Sequence, residues 1–134
     1  MKVLIAEDEL PIRQLLVLML QQMFSGVEIN EASTLEDAKK WCKKEELPDL
    51  AIVDGRMPDE GDGLTLMMHI RAKEQDEGEY SVKIVFISGD LHHMSKLQKQ
   101  AFAAGANACL PKPFDMKQLK QLLSELGFNK ILCC

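Results

Sequence analysis

Asp54 closes the apolar run "LAIVD" (50–54), after which the chain turns polar and glycine-rich through "GRMPDEGDG". A carboxylate at the end of a buried run is costly unless it caps a helix, binds a cation or does chemistry. Three other apolar runs end near groups that could share its task. "KVLIA" (2–6) leads into Glu7 and Asp8, "KIVFIS" (83–88) ends on Ser88, and "NACL" (107–110) is followed by "PKP" with Lys112. Taken singly, these groups have ordinary explanations as loop acids, a turn hydroxyl and a surface ammonium. Together they form a coherent device. Clustered carboxylates repel one another unless a cation joins them, and Mg²⁺ takes oxygen ligands from one or two carboxylates plus phosphate oxygens. A carboxylate beside that ion can attack a phosphoryl group and form an acyl phosphate, a reaction that asks the protein chiefly for positioning and charge stabilisation. On this reading Glu7 and Asp8 are metal-side acids, Asp54 is the nucleophile, and Lys112 and Ser88 hold phosphoryl oxygens.

The elements that must bring these residues together are legible as five β-type runs at 2–6, 27–32, 50–54, 83–88 and 107–110. Most are continuously apolar, as strands covered on both faces of a parallel sheet are. Helical patterns lie between them, at 10–24, 34–46, about 63–74, 92–103 and 115–126. In the first, Leu10, Leu15, Leu18, Met19 and Met23 recur at three- and four-residue steps and are expected to face the core; Pro11 suits a first helical turn. Thr34 with Asp37 three residues on resembles a capping box, and Gly105 and Gly127 read as helix C-terminal signals. The alternation predicts an α/β fold, a doubly wound five-stranded parallel sheet with five helices. Ligands of such a sheet gather at the carboxyl ends of the strands, where the crossing pattern reverses. Every candidate group named above falls at that edge.

A chain of 134 residues suits one domain with a real core, and 46% hydrophobic with 28% charged residues is ordinary for a globular protein. The net charge of −5, with cations interspersed among acids, advertises neither a nucleic-acid surface nor adhesion to an anionic membrane. The longest apolar run, "LLVLML", falls far short of the ~20 residues a membrane helix needs, and no secretory signal is visible, so a cytoplasmic location is expected. Cys42, Cys109, Cys133 and Cys134 show no CxxC spacing; reduced thiols are expected, the last two as a solvated tail pair. His92 and His93 read as a solvated helix start, while Met19, Met23, Met67, Met68 and Trp41 are expected to pack.

Four motifs, "VLIAEDE", "IVDGRMP", "IVFISGD" and "GANACLPKPF", stand in order across nearly the whole chain. With them the sequence resembles the response-regulator receiver domain of two-component signalling and is similar to the chemotaxis response regulator. The resemblance implies the flavodoxin-like strand order 2-1-3-4-5. It implies that Asp54 accepts phosphate from a histidine kinase or a histidine phosphotransfer protein. Asp8, Asp54 and the Arg56 backbone carbonyl would ligate Mg²⁺, with Glu7 acting mainly through water. Ser88 matches the switch hydroxyl, Gly89 the small residue that leaves the site open, and Lys112–Pro113 a cis peptide bond. The signal would pass to a downstream protein through the fourth helix, fifth strand and fifth helix, with a second copy of the chain as a further candidate partner.

Four departures from the family pattern matter. Glu7 stands where Asp is usual, and Cys109 replaces the switch aromatic, so aromatic-coupled switching is not expected. The turn "MPDEGDG" is one residue longer than the family norm. The resemblance places Arg56, two residues after the phosphoacceptor, and Asp90, two after the switch serine, at the mouth of the site, where a pair between them would tune phosphoryl lifetime.

The expected organisation is a receiver over 1–127 and a short tail over 128–134 with no output domain, acting alone through a partner. It is expected to catalyse only its own phosphorylation and dephosphorylation. The alternatives are a receiver cut from a longer transcription regulator and a phosphorylation-independent binding module, to which Cys109 lends weight. A Mg²⁺-dependent phosphatase of related fold would carry a second Asp two residues after its nucleophile; that position is Arg56.

Overall fold

The computed structural model describes residues 1–43, 46–59, 61–77, 81–89 and 94–128. Strands and helices alternate as β1 (Lys2–Ala6), α1 (Leu10–Met23), β2 (Glu28–Ala32), α2 (Leu35–Lys40), β3 (Leu50–Asp54), α3 (Asp62–Glu77), β4 (Lys83–Ser88), α4 (Met94–Ala104), β5 (Ala108–Pro111) and α5 (Met116–Glu125). The five strands form one parallel sheet in the order β2-β1-β3-β4-β5, the order the resemblance implies.

Period-two alternation divides the core between the two faces of the sheet. Leu4, Ala6, Ala51, Val53, Ile84 and Phe86 pack with Ala38, Leu66, Met67, Ile70 and Ala101 from α2, α3 and α4. Val3, Ile5, Leu50, Ile52, Val85 and Ile87 pack with Leu16, Met19, Leu20 and Met23 of α1 and Leu119 and Leu123 of α5. Register then fixes the edge at which chemistry can occur. Ala6 lies beside Val53, Asp54 beside Ile87, and Ser88 beside Pro111, so four strands end together.

Several sequence expectations are corrected in detail. The buried face of α1 is Leu16, Met19, Leu20 and Met23; Leu10, Leu15 and Leu18 are exposed, because "LLVLML" supports two adjacent helical faces and the sheet covers only one. α2 ends at Lys40 with Trp41 as its C-cap, so that Cys42 and Leu47 can turn into the core. Met68 and Trp41 are largely exposed rather than packed. The Thr34 cap is present, its hydroxyl oxygen accepting from Asp37 N at 3.1 Å. Phe128, assigned by sequence to the tail, packs edge-on against Phe24 with ring centroids 6.1 Å apart. Cys133 and Cys134 lie outside the described residues. Among the described residues, no helix is long and apolar enough to cross a membrane.

Candidate functional site

At the carboxyl edge of the sheet a cavity of about 380 Å³ is lined by Asp8, Asp54, Arg56, Ser88, Gly89 and Lys112, among others. Asp54 and Ser88 are buried there as the last residues of β3 and β4. Lys112 follows β5 directly, and its Nζ lies 3.3 Å from Asp54 Oδ1 and 2.7 Å from Glu7 Oε1. The Lys112–Pro113 bond is cis, as is Met57–Pro58. Lys112 N also donates to Ser88 O at 3.0 Å, joining the strand-four end to the ammonium-bearing loop through backbone.

Glu7 is fully buried beside the cavity. Its Oε2 accepts from Glu9 N at 3.2 Å, whereas Oε1, for all its ionic contact with Lys112, has no hydrogen-bond partner. Burial first, then the adjoining Asp54 carboxylate, push the Glu7 pKa up to about 8, with Lys112 opposing the shift. Burial alone would lower the Lys112 pKa, but contact with Glu7 and the charges of Asp54 and Glu7 outweigh it and the net shift is upward. The site is thus a desolvated acidic pocket with too few cations, since one ammonium serves two buried carboxylates.

A hard divalent cation fits this donor set. One ligand atom from each of Glu7, Asp8 and Glu9 lies within 4.8 Å of the others, and the fully buried Glu7 carboxylate has a single ammonium as its charged partner. Glu9 escapes sequence reasoning as a member of this cluster because, as the N-cap of α1, it has the look of an ordinary helix-start acid.

The strand-three loop is held close to Asp54 by packing that sequence reading also misses. Gly63 N donates to Gly55 O at 3.1 Å, and a Cβ at Gly63 would lie 2.3 Å from Asp54 O, so only glycine allows this approach. The long turn closes on itself: Asp62 Oδ2 accepts from Asp59 N at 3.0 Å, and Gly61 takes a φ of 91° on the cavity wall. Phe86 fills the space under Gly55, where a Cβ would meet its Cζ at 2.9 Å, and it too lines the cavity. Cys109 pairs in register with Phe86 and packs half-buried against the core on the same face of the sheet. Burial pushes its thiol up to about 11, which keeps it protonated at neutral pH. Arg56 is exposed at the cavity mouth. Asp90, its expected partner there, lies outside the described residues, as do His92 and His93.

Residues 3–124 match the model of the response regulator receiver domain. The chain is 31% identical over 128 residues to the transcriptional regulatory protein PhoP of Escherichia coli O157:H7, covering 94% of this chain and 52% of PhoP. It is 32% identical over 123 residues to the response regulator protein PilR of Pseudomonas aeruginosa, covering 92% of this chain and 25% of PilR. It therefore spans about half the length of the first of these relatives and a quarter of the second. Its structure is similar to that of the chemotaxis response regulator CheY4 of Vibrio cholerae, with a TM-score of 0.77 at 25% identity over 93% of this chain and 97% of that one.

Proposed function

Because the chain belongs to the response-regulator receiver family, we propose that it is a phosphorylation-driven switch in which Asp54 accepts a phosphoryl group from a phosphohistidine of a histidine kinase or phosphotransfer protein. The observation that carries this is the Asp54 carboxylate, buried at the end of β3 with Lys112 Nζ 3.3 Å from its Oδ1 and open to the cavity. In the transfer an Asp54 oxygen forms the new bond to phosphorus while the N–P bond of the donor breaks, its electron pair returning to the imidazole. Lys112 neutralises charge on the acceptor and then on the phosphoryl oxygens, to which Ser88 donates its hydroxyl proton in a hydrogen bond. Asp8, Asp54 and the Arg56 carbonyl would hold Mg²⁺, with Glu7 acting mainly through water, and the ion would supply electrostatic stabilisation of the transferring group.

A phosphoryl group adds about −1.5 to −2 charges at neutral pH and favours whichever backbone state brings Ser88 and Lys112 to it. The response is read on the face of α4, β5 and α5 by a downstream protein, a reading to which the link from Lys112 N to Ser88 O, between the ends of β4 and β5, lends support. The setting is the cytoplasm, where phosphohistidine donors are formed. One reading is action as a stand-alone receiver. A second reading, a receiver joined to an output segment, is favoured by the greater length of PhoP and PilR; the size of the native polypeptide on an immunoblot separates the two.

The test of phosphoryl acceptance is intact mass after incubation with acetyl phosphate and Mg²⁺. Wild type should gain one phosphoryl group and Asp54→Asn none. Equal gain in both proteins would remove Asp54 as acceptor, and gain that persists in EDTA would remove the metal.

A further inference from the structure

We infer that Arg13 is a positioning residue for the cation site, holding the Glu7–Glu9 turn in place from α1 and tying it to the edge strand β2. The inference rests on the proposed Mg²⁺ site, and it concerns residues to which neither the motifs nor the family match gives a role.

The polar groups of Glu7 account for themselves one by one. Its N–H donates to Ala32 O at 3.0 Å, its Oε2 accepts from Glu9 N, and its Oε1 is ion-paired with Lys112. The backbone carbonyl remains, and Arg13 Nη1 donates to it at 2.9 Å. The same guanidinium donates through Nε to Glu31 Oε1 at 3.1 Å. Glu31 sits next to Ala32, so both ends of Glu7's peptide frame are anchored at the carboxyl end of β2.

Such an anchor is needed because α1 begins without a cap. Glu9 occupies the N-cap position but makes no side-chain capping bond, and the first turn carries no acid of its own. α5, by contrast, starts with a complete capping box between Asp115 and Gln118. Arg13 does from inside the helix what a cap does from its end, fixing the turn through a carbonyl rather than through the orphan N–H groups. The planar guanidinium reaches two acceptors with one rigid fork, a geometry that lysine cannot reproduce. Glu7, Asp8 and Glu9 are consecutive, so a shift of this turn moves all three carboxylates of the cluster at once.

Two measurements test the inference. In calorimetric Mg²⁺ titrations, Arg13→Ala should bind about 10- to 100-fold more weakly than wild type, the usual cost of losing a group that orients metal ligands. Arg13→Lys, which can serve one acceptor but not both, and Glu31→Gln, which keeps an acceptor, should fall between them. In the metal-free protein, Arg13→Ala should shift the amide resonances of Asp8 and Glu9 more than those of Leu20 and Met23 further along the helix. A role in helix stability alone would lower the thermal midpoint and leave both Mg²⁺ affinity and the Asp8 and Glu9 amides unchanged, which would overturn the inference. Should Arg13→Ala not fold, Arg13→Lys with wild-type affinity and amide shifts would overturn it equally. Failure of wild type to bind Mg²⁺ would instead refute the metal site itself, and the metal-free amide shifts would still decide whether Arg13 holds the turn.

Discussion

Replacing Lys112 by Met should destabilise the metal-free protein more at pH 9 than at pH 6. The ammonium sits 2.7 Å from Glu7 Oε1 and 3.3 Å from Asp54 Oδ1, and the substitution leaves two carboxylates with no cation between them. Glu7 is raised from 4.5 to about 8 in the folded protein, so between those values the native state holds a proton that the unfolded chain has released. Wild-type stability therefore falls as pH rises through that window, at up to about 1.4 kcal/mol per pH unit, and levels off above it. Lys112 shifts upward, so its charge is intact at both test pH values. At pH 6 Glu7 is neutral in either folded protein, and the substitution removes mainly the contact with Asp54, worth about 1.5–3 kcal/mol as a bond to a charged group. At pH 9 wild-type Glu7 is ionised and paired, whereas in the variant the missing ammonium raises Glu7 further, so the variant's stability keeps falling with pH above 8 and the loss grows by up to about 1.4 kcal/mol. Urea unfolding of both proteins in EDTA at the two pH values measures the difference. Equal losses, or a larger loss at pH 6, would refute the view that one ammonium compensates both carboxylates.

Two further substitutions probe the scaffold. Gly63→Ala should cost about 1–3 kcal/mol in urea unfolding and slow Mg²⁺-dependent phosphoryl uptake, because its Cβ would displace the Asp54 carbonyl 2.3 Å away; an unchanged uptake rate would show that the loop adjusts without moving Asp54. Arg71→Ala should cost about 3–5 kcal/mol, since Arg71 donates to Glu74, Val82 O, Gly105 O and Asn107 and its loss leaves the buried Glu74 with the Val82 N–H but no cation. Arg71 lies at the opposite end of the sheet, so phosphoryl uptake per folded molecule should stay at the wild-type value.

The strand ends were legible because continuous apolar runs that stop on a carboxylate, a hydroxyl or a "PKP" leave few alternatives, and parallel register then brings Asp54, Ser88 and Lys112 to one edge. Glu7 and Asp8, which the fold brings to the same edge, were legible for the same reason, as charges directly after "KVLIA". What the sequence concealed acts through backbone or space. Residue type and spacing give no sign that an Arg13 nitrogen meets the Glu7 carbonyl or that Gly63 approaches the Asp54 backbone. The exchange of bulk between Gly55 and Phe86 depends on two strands that are far apart in sequence. The outer face of α1 misled because Leu10, Leu15 and Leu18 satisfy helical periodicity without meeting the sheet, and periodicity alone does not say which of two adjacent stripes is covered.

The most direct test of the account is the location of the phosphoryl group. After labelling with acetyl phosphate and Mg²⁺, borohydride reduction converts an aspartyl phosphate to homoserine, and tandem mass spectrometry of the digested protein reads the position. The account predicts homoserine at residue 54 and at no other position, dependent on Mg²⁺. Homoserine at Asp8 or Asp59, or labelling of wild type that leaves residue 54 as aspartate, would contradict it.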